Sequence, residues 1–171
     1  KELLEDNLPR QALEQLKFSF PPLLADENNF LTAECLRAEG YFTLAAKRYE
    51  QVLRRVRPSQ DSELWVDSCL GFVRVMRSLG ETKAARRRWD EAAKVVKKLK
   101  LSQYADSLLL EKALLDRADG FYEKALVPLQ RLLGKFRKEK DWSGAGFLLW
   151  AIGGARRFMG NLAGAERDFL A

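Results

Sequence analysis

The sequence contains no histidine. Ser–His and Cys–His catalysis and the common zinc sites all need an imidazole, so this one absence removes them together. Cysteine is nearly as scarce. Cys35 and Cys69 each lie inside an apolar helical pattern, where a buried free thiol is expected; a disulfide framework would need more cysteines in a short secreted chain. No apolar run approaches the ~20 residues of a membrane span and no signal peptide opens the chain, which points to a cytoplasmic protein. No segment alternates apolar and polar residues with a period of two, so no strand is expected. A phosphate-binding loop is missing too: Gly144-Ala145-Gly146 and Gly153-Gly154 fall inside a helical pattern and lack a following Lys-Ser/Thr. Paired carboxylates such as Asp116 and Asp119 sit on a helix surface with no apolar pocket to make one an acid and the other a base. Neither an enzyme, a cofactor nor a metal is expected of such a chain.

What the chain does have is a repeat. Glycine recurs at 40, 80, 120 and 160, and a period in that range signals stacked helical pairs or another solenoid. The same frame surrounds each one: Gly40, Phe42, Ala45 and Tyr49; Gly80, Thr82, Ala85 and Trp89; Gly120, Tyr122, Ala125 and Leu129; Gly160, Leu162, Ala165 and Phe169. The glycine ends one helix in a left-handed conformation that other residues adopt only at a cost. Two positions on, a large side chain (Phe42, Tyr122 or Leu162, with Thr82 the weak copy) can staple the second helix to the first. The alanine marks the close crossing of two helices, and Tyr49, Trp89, Leu129 and Phe169 fill the space one turn further on. Each pair exposes an apolar face it cannot cover alone, so it must stack on the next. Apolar residues at 47% and charged residues at 32% are the balance of a globular chain, not a disordered one.

Along the chain this predicts one all-α repeat domain over residues 1–171, with a partial repeat at 1–22 and repeats at about 26–59, 61–100, 102–140 and 143–171. The expected helices run from Leu8 to Phe18, with Pro9 in the first turn, and from a cap at Asp26 to about Glu39. Phe42 to Arg57, Asp61 or Ser62 to Leu79, Thr82 to Leu99 and Ser102 to Asp119 follow. Phe121 to Lys138, Ser143 to Met159 and a helix starting near Asn161 complete the series. Pro21-Pro22 and Pro58-Ser59 break the chain. It begins inside one helical pattern and stops part-way through another, as a piece of a larger protein would.

The pattern Gly-x-aromatic-x-x-Ala-x-x-x-aromatic resembles the tetratricopeptide repeat, whose signature includes Ala-x-x-x-Phe and a later proline. Ala45-Tyr49, Ala85-Trp89, Ala125-Leu129 and Ala165-Phe169 carry the resemblance, with Pro58 in the place of the closing proline and Ile152-Gly153 in that of the Leu-Gly pair. Ala33, Val73 and Ala113 replace that glycine elsewhere, and the closing proline is missing from the second and third repeats. The period of 40 also departs from the usual 34, and is similar to the longer-helix variants of partner-switching scaffolds and of sensor arms in bacterial regulators. The resemblance implies a right-handed superhelical solenoid of antiparallel helix pairs, whose first helices line a concave groove that holds peptide ligands. Chaperone-tail clamps of this family grip a terminal carboxylate through Lys-x-x-x-Asn and Lys-x-x-x-Arg. Residues 26–39 contain no lysine, and Lys112 and Arg117 have the wrong spacing, so that role is not expected.

Three residues before each glycine stands an arginine that packing does not require: Arg37, Arg77, Arg117 and Arg157. If the groove carries over, these form a ladder along it, within about a Debye length of one another, that would favour an acidic segment. Seven residues earlier, Phe30, Leu70, Leu110 and Trp150 could form an apolar floor, with Trp150 the best single anchor. The intervening positions, Glu34, Arg74, Leu114 and Gly154, vary and could tune specificity. A plainer reading stands beside this one. Arginine is a good helix former that suits a helix C-terminus and can pair with Glu34, Glu39 or Asp119, and the apolar set can be ordinary core.

The 30 Lys+Arg against 24 Asp+Glu give a net charge of +6, a mild bias toward acidic partners. Basic runs lie on the second helices: Arg54-Arg55 with Arg57, Arg86-Arg87-Arg88, Lys94 with Lys97-Lys98 and Lys100, and Lys135 with Arg137-Lys138. Most oppose the helix dipole at C-termini, and no recognised nucleic-acid motif accompanies them. The expected function is a scaffold that holds a protein or peptide segment, an acidic one favoured. The alternatives are a sensor arm of a larger signalling or transcription regulator and, third, a basic nucleic-acid surface. Self-association through Leu162, Ala165 and Phe169 of the last helix is a further expectation.

Overall fold

The four periodic glycines have φ of 81°, 79°, 83° and 80°, which only glycine adopts without strain. At each, two backbone hydrogen bonds close the preceding helix. Tyr41 N–H donates to Leu36 at 2.8 Å and Gly40 N–H to Arg37 at 3.1 Å, and the same pair recurs at Gly80, Gly120 and Gly160. This is the Schellman motif, which satisfies carbonyls that the helix end leaves without partners.

A computed structural model describes residues 9–15 and 25–171. Among these residues it is all-α, with no strand. The helices are α1 (Pro9–Gln15), α2 (Ala25–Ala38), α3 (Phe42–Arg55), α4 (Ser62–Ser78) and α5 (Thr82–Leu99). A 3-10 turn (Ser102–Tyr104) then leads into α6 (Ala105–Ala118), α7 (Tyr122–Glu139), α8 (Trp142–Phe158) and α9 (Leu162–Leu170). Helix α2 begins at Ala25, so Asp26 lies in its first turn, where its charge still suits the dipole, and is not the cap. The expected end of the first segment, Leu16 to Phe18, and Pro21-Pro22 lie outside the described residues. Asp61, Asp141 and Asn161 do cap their helices, accepting from Leu64, Gly144 and Gly164 N–H at 2.9, 2.8 and 2.9 Å.

Two compact units divide the chain, Lys1–Leu101 and Ser102–Ala171. In the first, α1 packs on α2, α2 on α3, α3 on α4 and α4 on α5, and α2 also reaches α4. Its core gathers Ala33, Ala45, Tyr49, Phe72 and Val75, with Phe30, Phe42 and Leu53 against them. In the second unit α6, α7, α8 and α9 pack in succession. Ala113, Leu114, Ala125, Leu129, Leu132, Leu148 and Ile152 form the core there. The alanines at 45, 85, 125 and 165 are all buried, and a larger side chain at such a crossing typically costs ~1–3 kcal/mol.

The staple position is used in different ways. Phe42 packs against the core of the first unit. Tyr122 stacks on Phe158, rings 5.4 Å apart and nearly parallel, and so fastens α7 to the following helix α8. At the same position in the last repeat Leu162 is exposed.

Candidate functional site on the first helices

The four arginines of the expected ladder do different things, according to what packs around each. In the first unit the variable residue of α2 is Glu34. Arg37 donates to Glu34 at 2.6 Å, and the buried Tyr49 hydroxyl of α3 donates to the same carboxylate. Burial works to raise the Glu34 pKa, but the Arg37 bond and charge, the Tyr49 bond and the charge of Arg74 on α4 outweigh it and hold it below the ordinary value. Burial, then the Glu34 charge, push the Tyr49 phenol well above its usual range. The Arg37 guanidinium resists the effect of its own burial and sits above its ordinary value because of Glu34. Phe30 lies against the same core, its ring 6.2 Å from that of Tyr49. Glu34, Arg37, Arg74 and Phe30 are therefore brought together, with the Glu34 carboxylate taken up by Arg37 and Tyr49 of the same unit. Arg77 is half-buried on α4, and Leu70 is buried at 3% exposure, inside the unit and not on a groove floor.

In the second unit the variable residue of α8 is Gly154, and the arrangement inverts. Arg117 of α6 reaches across to α8, its guanidinium 5.0 Å from the centre of the Trp150 ring. A side chain at Gly154 would meet it, since an added Cβ there would stand 3.0 Å from an Arg117 terminal nitrogen. Trp150 is 55% exposed and Phe147, one turn before it, 42% exposed, with ring centroids 5.9 Å apart. Leu110 is half-buried against the core of this unit and Leu114 is fully part of it. Arg157, also on α8, is exposed and lies over Phe158 at 5.1 Å. It lines a cleft of about 540 Å³ with Leu162, Ala165 and Phe169 of α9. Of that last set Leu162 and Phe169 are exposed and Ala165 is buried. Arg156, its neighbour, instead ties α8 to α9 through both carboxylate oxygens of Asp168 at 2.7 and 2.8 Å.

Two residues that matter here escaped the sequence pattern. Phe147 could have been found as the position one turn before Trp150 on the same face. Gly71 lies at the heart of the first unit. A Cβ on it would fall 2.4 Å from the Tyr49 ring, and a helix-interior glycine with no capping role was the available signal. Both cysteines are buried free thiols. Burial raises Cys35 to about 11 and Cys69 higher still, so neither is poised as a nucleophile. Among the described residues no acidic, cysteine or histidine cluster could hold a metal ion, and no helix is long and apolar enough to cross a membrane.

No protein-family model matches the sequence, and neither a curated protein nor a solved structure does.

Proposed function

We propose that the chain is a helical-repeat interaction protein of tetratricopeptide type, and that the α6–α8 face of its second unit holds an acidic peptide or protein segment. The observation that supports this most is Arg117 laid across a half-exposed Trp150, with Gly154 leaving room beside it. Arginine stacked on an indole is a pairing suited to recognition of acidic groups, because the planar guanidinium presents its charge in a fixed orientation. The ring below and Phe147 beside it offer flat apolar surface that is already ordered, the combination found at binding hot spots. The ligand would place an acidic side chain over Arg117 and an apolar one against Trp150 and Phe147, with Arg157 adding positive potential along the same helix. Catalysis has no part in this reading.

The test is selection from a displayed library of acidic heptapeptides, followed by anisotropy titration of a synthesised winner. Trp150→Ala should weaken binding about 30-fold, the scale of a hot-spot truncation, and Arg117→Ala should weaken it and flatten its salt dependence. In the first unit Arg37→Ala should leave affinity unchanged. Equal affinities for wild type, Trp150→Ala and Arg117→Ala would remove the proposal. A second reading, the sensor arm, is favoured by one feature of the first unit: a cleft of about 520 Å³ of mixed lining, bordered by Arg10, Asn28, Arg48, Tyr41, Leu13 and Leu36. A thermal-shift screen of small polar metabolites would reveal an occupant.

A further inference from the structure

Charge is distributed very unevenly over the helices. Helix α5 carries seven Lys/Arg against two acids, a surplus of five in a chain whose net charge is +6. At 100° per residue, Lys83, Arg87, Lys94, Lys97 and Lys98 fall within about one third of the helix circumference, and all five are exposed. Asp90 shares this face. The other acid, Glu91, is held by Arg88 at 2.6 Å. Among the described residues none of the five cations is in an ion pair.

The other basic second helices spend part of their charge internally, while Lys47 on α3 and Arg131, Arg137 and Lys138 on α7 stay exposed. On α3, Arg55 pairs with Asp26 at 3.0 Å, Arg54 with Glu50 at 3.4 Å, and Arg48 donates to Asn29 and Gln51. On α7, Lys135 is paired with Asp106 and Glu139, and Lys124 lies over the Phe121 ring. Five neighbouring cations without acid partners repel one another, an arrangement that helps neither helix nor fold. Its cost is offset when anions cover the face.

We propose that the exposed face of α5 binds the phosphate backbone of a nucleic-acid duplex without reading its sequence. Lys83 to Lys98 span about 22 Å at 1.5 Å per residue, a rigid row of cations facing a rigid row of phosphates. No aromatic ring lies on this face: Trp89 is half-buried. It therefore lacks the stacking platforms on which single strands are held. The face also lacks the large apolar residues that anchor an amphipathic helix in a bilayer. A rigid array of backbone phosphates fits such a face, and binding to it is governed by counterion release.

The probe is a fluorescein-labelled 20-base-pair DNA duplex of mixed sequence, titrated with the whole chain at several salt concentrations. Five phosphate contacts predict a slope of log K against log salt of about −4.5. A variant with Lys83, Arg87, Lys94, Lys97 and Lys98 all changed to Gln should lose the binding. The double variant Lys94→Gln, Lys98→Gln keeps more of the native surface and should reduce the slope by about 2. A control with Arg48, Arg54, Arg55, Lys124 and Lys135 changed to Gln removes the same charge from α3 and α7 and should bind like wild type. The proposal is overturned by absence of duplex binding at 25 mM salt, or by equal loss in the control. Tighter binding to a single strand of the same length would also overturn it. So would α5-dependent binding to phosphatidylserine vesicles without binding to the duplex.

Discussion

Gly71 offers the sharpest test of how the first unit is held together. In a helix interior alanine is more favourable than glycine by about 1 kcal/mol, so Gly71→Ala would be stabilising if its surroundings were open. They are not. The added methyl would lie 2.4 Å from two carbons of the Tyr49 ring and 2.7 Å from its hydroxyl. Tyr49 has no exposed surface and is fastened to Glu34. The ring can move only by disturbing the Phe30, Ala33 and Phe72 packing around it or by giving up that bond. Overpacking of this kind costs ~1–3 kcal/mol, and a lost hydrogen bond to a charged group costs ~1.5–3 kcal/mol. Against the gain of about 1 kcal/mol, the net loss is about 1–2 kcal/mol. For a chain of this size each kcal/mol is worth about 2–4 °C, so the melting transition followed by circular dichroism should fall by roughly 2–8 °C. Gly134→Ala is the matched control. It is a helical glycine with nothing within 4 Å of its added Cβ, so it should gain about 1 kcal/mol. A Tyr49→Leu background should remove most of the Gly71→Ala penalty. If Gly71→Ala melts at or above wild type, the Tyr49–Gly71 contact is not what holds α3 against α4.

Other consequences follow from the same geometry. Glu34→Gln should cost about 2 kcal/mol near neutral pH, through a weaker bond set to Arg37 and Tyr49. Because the folded pKa of Glu34 is depressed, its charged form adds stability above the ordinary carboxylate value, and that stability is lost as pH falls through the folded value. The gap between wild type and variant should therefore close in acid, and a gap that widens below pH 4 would contradict the cluster. Lys100 and Lys140 end α5 and α7 at φ of 56° and 59°, and glycine at either should stabilise the chain by about 1 kcal/mol in urea titration. Cys35 and Cys69 should resist a disulfide-exchange reagent at pH 8 in the native state and react in denaturant. Rapid native labelling of either would show that the buried thiols are reached by opening.

Much of the architecture was legible because it rests on local chemistry. A glycine every 40 residues specifies a left-handed helix end wherever it falls, and all four adopt one. The 3.6-residue periodicity of Ala45, Tyr49 and Val52 identifies their buried stripe without reference to any neighbour. Helix ends were less secure, as at α2 and α6, where propensity for a helix begins a residue earlier than the cap or yields first to a 3-10 turn. The candidate site was legible only as a list of positions. Arg37 and Arg117 occupy the same register, yet one is consumed by a carboxylate on its own helix and the other spans to an indole on another. That difference depends on what surrounds each arginine, Glu34 on its own helix with Tyr49 of the next in one place and Gly154 with Trp150 of another helix in the other. Likewise the basic runs of α3, α5 and α7 look alike as strings of lysine and arginine. Only packing shows that acids on adjacent helices, such as Asp26 and Asp106, take up part of the charge of α3 and α7, whereas five exposed cations of α5 have no ion pair among the described residues. Sequence alone determined the helices and their turns, because backbone conformation and periodicity act within a few residues. Tertiary structure decided which charges are spent and which are free, because that depends on distances between residues far apart in the chain.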